Sequence, residues 1–141
     1  MRIFSHDAKV DALRRSPLFA DFSRHELAEL RKVTEDLEFE EGKVLAREGE
    51  IGNEFFVILD GEAVVEREGR EVNRLSSGDF FGEIALIWES ARRTATVTAA
   101  GHVRLFVLTR QSFRGLMAHH PEIERKVLQA LEQRLTADFR G

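Results

Sequence analysis

"KVLAREGEIGNEFFVILDGEAVVEREGREVNRLSSGDFF", residues 43–81, is punctuated like a series of hairpins. Short runs rich in Val, Ile, Leu and Phe alternate with glycine-bearing turns. FFVILD and EAVVER flank Gly61, and EAVVER and REVNRL flank the pair Glu68-Gly69, as successive antiparallel strands do. Turn signals at intervals of roughly eight to twelve residues predict a closed antiparallel sandwich or barrel rather than βαβ units. Downstream, TATVTAAGHVRLFVLT supplies two more strands with a break at Gly101. The all-β zone runs from about residue 34 to 109.

Helical periodicity takes over on both sides. In residues 1–33, DALRRSPLF gives a short helix broken at Pro17, because the residue before a proline avoids the helical region. SRHELAELRKV opens with Ser23 and carries Glu26 three positions later, the capping-box pattern, with Leu27, Leu30 and Val33 on one face. In residues 110–137, Thr109 is a predicted N-cap for RQSFRGLM, and Pro121 fits the first position of a second helix. That last helix carries an apolar stripe of Ile123, Val127, Leu128, Leu131 and Leu135. No linker of Pro, Gly or Ser divides the chain, so the 141 residues read as one domain.

The chemistry concentrates in FFGEIALIWESARRTATV, residues 80–97. Glu83 stands alone among hydrophobes, and Arg92 and Arg93 lead into a strand. Both charges are costly to bury without partners. Gly78 to Glu83 form a glycine-bearing turn passing into the helix-capable run EIALI, which offers free backbone N–H groups to an anion. An arginine from a neighbouring strand would complete a phosphate clamp, while Glu83 would accept from ligand hydroxyls or pair with an arginine. An anionic group and hydroxyls on one small molecule describe a sugar phosphate or a nucleotide. The plainer reading is that Glu83 pairs with Arg92 or Arg93 and closes an ordinary hairpin; spacing alone leaves both open.

Composition bounds the function classes. The chain is 43% hydrophobic and 33% charged, the balance of a globular protein, and its net charge of −4 argues against a general nucleic-acid-binding surface. No apolar run approaches the roughly 20 residues of a membrane span, and MRIFSHDAKVDALRR lacks the apolar core of a signal peptide. There are no cysteines, which fits a cytoplasmic setting and excludes zinc-thiolate sites. P-loop, G-x-S-x-G and H-E-x-x-H motifs are missing.

The stretch resembles the phosphate-binding cassette of cyclic nucleotide-binding domains, which reads F-G-E-[LI]-A-L, a variable gap, then P-R-[AST]-A-T-V. Here it stands as Phe81-Gly82-Glu83-Ile84-Ala85-Leu86, then Arg92-Arg93-Thr94-Ala95-Thr96-Val97. LRRSPLFADFSRHELAELRKV is similar to the family's N-terminal helices, and VRLFVLTRQSFRGLM to its last strand and following helix. The resemblance implies a mainly β fold with flanking helices (α+β): an antiparallel β-roll or jelly roll, with N-terminal helices before it and two C-terminal helices after it. It implies that Arg93 pairs with the cyclic phosphate and that Glu83 accepts from the ribose 2′-hydroxyl. Gly82, Ile84 and Ala85 would add backbone contacts, with Phe81, Arg92 and Thr94 beside them. Arg92 replaces the family's usual proline, and the register with Ala95-Thr96-Val97 favours Arg93 as the working arginine. Thr94 reads equally as a phosphate or guanine contact and as a plain strand residue. The last helix would fold over the base as a lid, with Leu128, Leu131, Arg134 and Leu135 as candidates.

The implied function is a non-enzymatic regulatory sensor for a cyclic nucleotide, cAMP favoured and cGMP the alternative, without a metal or other cofactor. It carries no direct nucleic-acid partner and no membrane span; its helical segments would face an effector domain, a protein partner or a second copy of the chain. The chain reads as a stand-alone sensor or an excised regulatory domain. Two alternatives come from other classes: a degenerate β-roll serving only as a docking surface, and a cupin-like metalloenzyme. The second needs clustered histidines on strands, whereas only His102 lies in the β-zone. His119-His120 reads as a helix junction, His25 as surface, and Trp88 as a core or rim packer rather than a stacking platform.

Overall fold

In the computed structural model, described for residues 6–16, 19–86 and 88–140 apart from the side chains of 6–8, 130, 131 and 133–140, helices flank a β-roll. Helix α1 (His6–Arg15) and helix α2 (Arg24–Lys32) precede eight strands: β1 (Glu35–Phe39), β2 (Val44–Ala46), β3 (Glu54–Asp60), β4 (Ala63–Arg67), β5 (Arg70–Leu75), β6 (Phe80–Phe81), β7 (Thr96–Ala99) and β8 (Val103–Thr109). Helices α3 (Arg110–His119) and α4 (Pro121–Arg140) follow. The strands form two antiparallel four-stranded sheets, in the orders β1-β8-β3-β6 and β2-β7-β4-β5.

The hairpin punctuation carries directly into this topology. β4 and β5 pair from Ala63↔Leu75 to Arg67↔Arg70 around Glu68-Gly69, whose φ values of 51° and 79° make the two-residue turn that suits a twisted hairpin. FFVILD becomes β3, central in its sheet between β8 and β6. Its side chains alternate between two cores. Phe55, Val57 and Leu59 join the helical layer, packing with Leu13, Phe19, Leu27, Leu30, Phe113 and Val127; Phe56 and Ile58 face the second sheet with Val97, Leu105 and Val107. A strand buried on both faces needs an unbroken apolar run, and this one has it.

The helix ends form as their sequences direct. Ser23 Oγ accepts from Glu26 N at 3.1 Å while Glu26 Oε1 accepts from Ser23 N at 2.8 Å, closing the capping box. Thr109 Oγ1 accepts from Ser112 N at 3.1 Å at the start of α3, and Pro121 opens α4. Helix α1 is tied to the outer face of the first sheet by charge. Asp36 accepts two bonds of 2.9 Å from Arg104 and pairs with Lys9 at 2.8 Å, with all three side chains largely buried.

Candidate functional site

Between the short strand β6 and β7 the chain makes a single 3-10 turn, Glu83–Leu86, and later a turn at Glu89-Ser90 that leads into Ala91–Arg93. The EIALI expectation thus shrinks to one turn, too short for a summed helix dipole, so any anion would meet individual N–H groups. No ordinary hairpin closes here. The Ala91–Arg93 segment pairs instead with Gly49–Gly52, through Gly52 N to Ala91 O at 3.1 Å, Arg93 N to Glu50 O at 2.8 Å and Gly49 N to Arg93 O at 2.9 Å. This seam places both arginines beside the turn that carries Glu83.

The two arginines diverge. Arg92 is exposed and donates from Nη1 to Gly49 O at 2.7 Å. Arg93 is half-buried; its Nη2 donates to Glu54 O at 2.8 Å, and its guanidinium carbon lies 5.7 Å from the centre of the Phe56 ring. Phe56 is itself stacked on Phe81 at 4.6 Å, which fixes the aromatic floor. Burial pulls the Arg93 guanidinium below its ordinary value, against the attraction of the Glu54 and Glu83 carboxylates, which raise it. It stays charged at any physiological pH.

Two glycines make the seat for Arg93. A methyl group on Gly82 would lie 2.6 Å from Arg93 Nη1 and 2.7 Å from Glu54 O, and Gly82 has a φ of +80°. A methyl on Gly52 would collide with Arg93 Nε. The guanidinium therefore occupies space that only two residues without a Cβ leave open. Gly52 and the carbonyl of Glu54 escaped the sequence reading as functional positions; a glycine at a turn was legible, but not that an arginine some forty residues later would fill its missing side chain.

Every cassette candidate, Phe81 through Ala85 and Arg92 through Thr94, lines one cavity of about 560 Å³. Arg93 and Glu83 share its wall, and Thr94 stands exposed at it. Val65, Val72 and Leu75 of the β4–β5 hairpin give it an apolar side, with Arg67 and Asn73 adding polar groups that the sequence reading had not singled out. Its dimensions and mixed lining suit a nucleotide-sized ligand. The cleft between these elements is open rather than filled, and the Glu83 carboxylate adds its attraction to the Arg93 guanidinium on its wall.

Of the lid candidates only Leu128 has a described side chain, and it does not line this cavity. None of the described side chains of α3 or α4 lines it. Ile123 and Val127 are fully buried against the N-terminal helices, and Leu128 is 41% exposed. Of the expected stripe, Ile123 and Val127 are core and Leu128 is not; Leu131, Arg134 and Leu135 lie outside the described side chains. Trp88, expected as a core or rim packer, is 56% exposed and has no core role. His25 is at the surface and His120 caps α3, as read from the sequence. Among the described residues no group of three or more His, Cys, Asp or Glu could hold a metal ion, and no helix is long and apolar enough to cross a membrane.

The chain is similar to known proteins in both sequence and fold. Residues 36–120 fit the model of the cyclic nucleotide-binding domain. The chain is 36% identical over 124 residues to a protein of Rhodopseudomonas palustris named as a potassium channel, an alignment covering 85% of this chain and 30% of that one. It is 32% identical over 114 residues to the cAMP-dependent protein kinase regulatory subunit of Schizosaccharomyces pombe, covering 80% and 27%. The chain thus spans less than a third of the length of these relatives. A cyclic nucleotide-binding domain from Methylobacillus flagellatus superposes with a TM-score of 0.81 at 28% identity, over 96% of this chain and 78% of that one. The match spans the roll, the cassette and α3, and the chain belongs to the cyclic nucleotide-binding domain family.

Proposed function

We infer that the chain is a non-enzymatic regulatory module that senses a cyclic nucleotide, cAMP or cGMP. The observation that carries the reading is the seat of Arg93: a half-buried cation, held between Gly52 and Gly82 on the wall of an open cavity that also contains Glu83. In this reading Arg93 meets the cyclic phosphate with charge-assisted hydrogen bonds, strengthened by the desolvation that already weakens its hold on the proton. Gly82, Ile84 and Ala85 contribute main-chain contacts from the turn, and Glu83 accepts from the ribose 2′-hydroxyl. The apolar side formed by Val65, Val72 and Leu75 suits the purine face, with Thr94 and Arg92 at the mouth.

The output is movement of the C-terminal helices. Helix α4 packs Ile123 and Val127 into the core it shares with α1 and α2, and none of its described side chains lines the cavity, so a ligand shifts it only by contacting a closed arrangement better than this one. The same reading sets the chain in the cytoplasm, and leaves an effector domain, a protein partner or a second copy of the chain as candidate receivers of that movement. Neither the degenerate docking module nor the metalloenzyme gains support from the cavity or the relatives.

Calorimetric titration with cAMP and with cGMP tests the assignment. Saturable binding of one nucleotide per chain is expected, and heats indistinguishable from dilution with both would reject it.

A further inference from the structure

Helix α4 is held in place by more than apolar packing. Lys126 Nζ lies 2.6 Å from Glu26 Oε1 and 3.0 Å from the main-chain oxygen of Asp21, and 5.7 Å from the centre of the Phe22 ring. Glu26 is only 7% exposed, and its Oε1 is the same oxygen that closes the capping box on Ser23 N. One carboxylate oxygen therefore serves the start of α2 and the side of α4 at once, across a sequence separation of 100 residues. On either side of Lys126 the residues Ile123 and Val127 are fully buried in the helical core. The contact binds the cavity-covering candidate to the N-terminal helices, in an arrangement where no described α4 side chain lines the cavity.

We propose that the Lys126–Glu26 contact is an autoinhibitory latch, which keeps α4 seated on the N-terminal helices and so lowers the affinity of the cavity for its nucleotide. The proposal rests on the cyclic-nucleotide reading above for its ligand. Its logic is population arithmetic: if α4 must leave this seat for tight binding, the apparent affinity is the intrinsic one multiplied by the fraction of molecules already unlatched. A hydrogen-bonded ion pair with one nearly buried partner holds that fraction down, and removing it raises the fraction without touching a cavity residue.

The substitutions separate the latch from its neighbours. Glu26→Gln keeps a side-chain oxygen for Ser23 N, because glutamine serves the capping box as glutamate does, while removing the charge that meets Lys126. Lys126→Met keeps the aliphatic stem over Phe22 and removes the ammonium group. Each variant, and the pair together, should bind cAMP or cGMP about fivefold more tightly by calorimetric titration, and the double variant should gain no more than the better single one, since both remove the same contact. A merely structural ion pair would lower the melting temperature of each variant and leave affinity unchanged; that outcome, with the fold intact by circular dichroism, overturns the latch.

A second measurement reads the latch without ligand. The chain has no cysteine, so spin labels at Arg70→Cys on the β4–β5 hairpin and Gln129→Cys on α4 report one defined distance. In the ligand-free protein, adding Lys126→Met should introduce a shorter-distance population. A distance distribution identical to that of the latched chain would overturn the proposal even if nucleotide binds normally. Failure to bind either nucleotide, with the shorter population present, would instead reject the ligand reading and retain the latch.

Discussion

Arg93 and Gly82 fit together as a cation and the hole made for it: Nη1 would stand 2.6 Å from a methyl carbon built on Gly82, far inside contact distance. Gly82→Ala must therefore displace the guanidinium, and it also forces a side chain onto a backbone at φ +80°. The left-handed penalty alone is about 1–2 kcal/mol. Nucleotide affinity should fall at least tenfold and the melting temperature should fall with it.

Gly52→Ala separates the two effects. Its methyl group would strike Arg93 Nε, but no positive φ adds backbone strain. Affinity should fall as for Gly82→Ala, with a smaller loss in thermal melts. Equal stability losses in the two variants would show that seating the arginine, rather than the backbone, limits folding.

Glu83 lines the same cavity wall, and in the proposed binding mode it accepts from the ribose 2′-hydroxyl. Glu83→Ala should weaken cAMP binding about tenfold, the scale of one hydrogen bond to a charged group. Against 2′-deoxy-cAMP the same substitution should have little effect. Equal losses with both ligands, measured as a thermodynamic cycle, would place Glu83 elsewhere in the mechanism.

Stability should depend on pH through Asp36 and Glu26. Burial pushes both carboxyls up, but the hydrogen bonds and charges of Lys9 and Arg104 on Asp36, and of Lys126 and Ser23 on Glu26, outweigh it and hold both below their ordinary values. Glu38, 3.9 Å from Arg104, competes weakly for the same cation. A carboxyl depressed in the folded state stabilises fully above its unfolded value and loses that contribution as pH falls through the folded one. The melting temperature should therefore be flat from neutrality to about pH 5 and drop below about pH 4. Asp36→Asn should cost about 3 kcal/mol at neutral pH, by leaving Lys9 and Arg104 without their shared partner, and should flatten part of the acid slope.

Local features of this fold were legible, because the physics that sets them is local. Gly61 and Glu68-Gly69 announced their hairpins, Ser23 with Glu26 announced the start of α2, and Thr109 and Pro121 marked the two C-terminal helices. What stayed hidden depends on partners distant in sequence. The Gly49–Gly52 seam with Ala91–Arg93, the filling of Gly52 by an arginine and the docking of Lys126 onto Glu26 each join segments far apart in the chain. The apolar stripe of α4 promised a continuous face, yet the helix buries Ile123 and Val127 and leaves Leu128 41% exposed, since which edge of a stripe is covered depends on the angle at which the helix docks. The cassette candidates follow from resemblance to a family motif; of the residues that seat Arg93, Gly82 belongs to that motif, whereas Gly52 and Glu54 do not.

The central claim is that Arg93 is the anchor for a cyclic phosphate, and calorimetric titration of Arg93→Ala beside the unaltered chain tests it most directly. Loss of a desolvated, charge-assisted contact of about 3 kcal/mol predicts roughly a hundredfold weaker binding of cAMP or cGMP, with the fold retained. An affinity unchanged by the substitution would contradict the account.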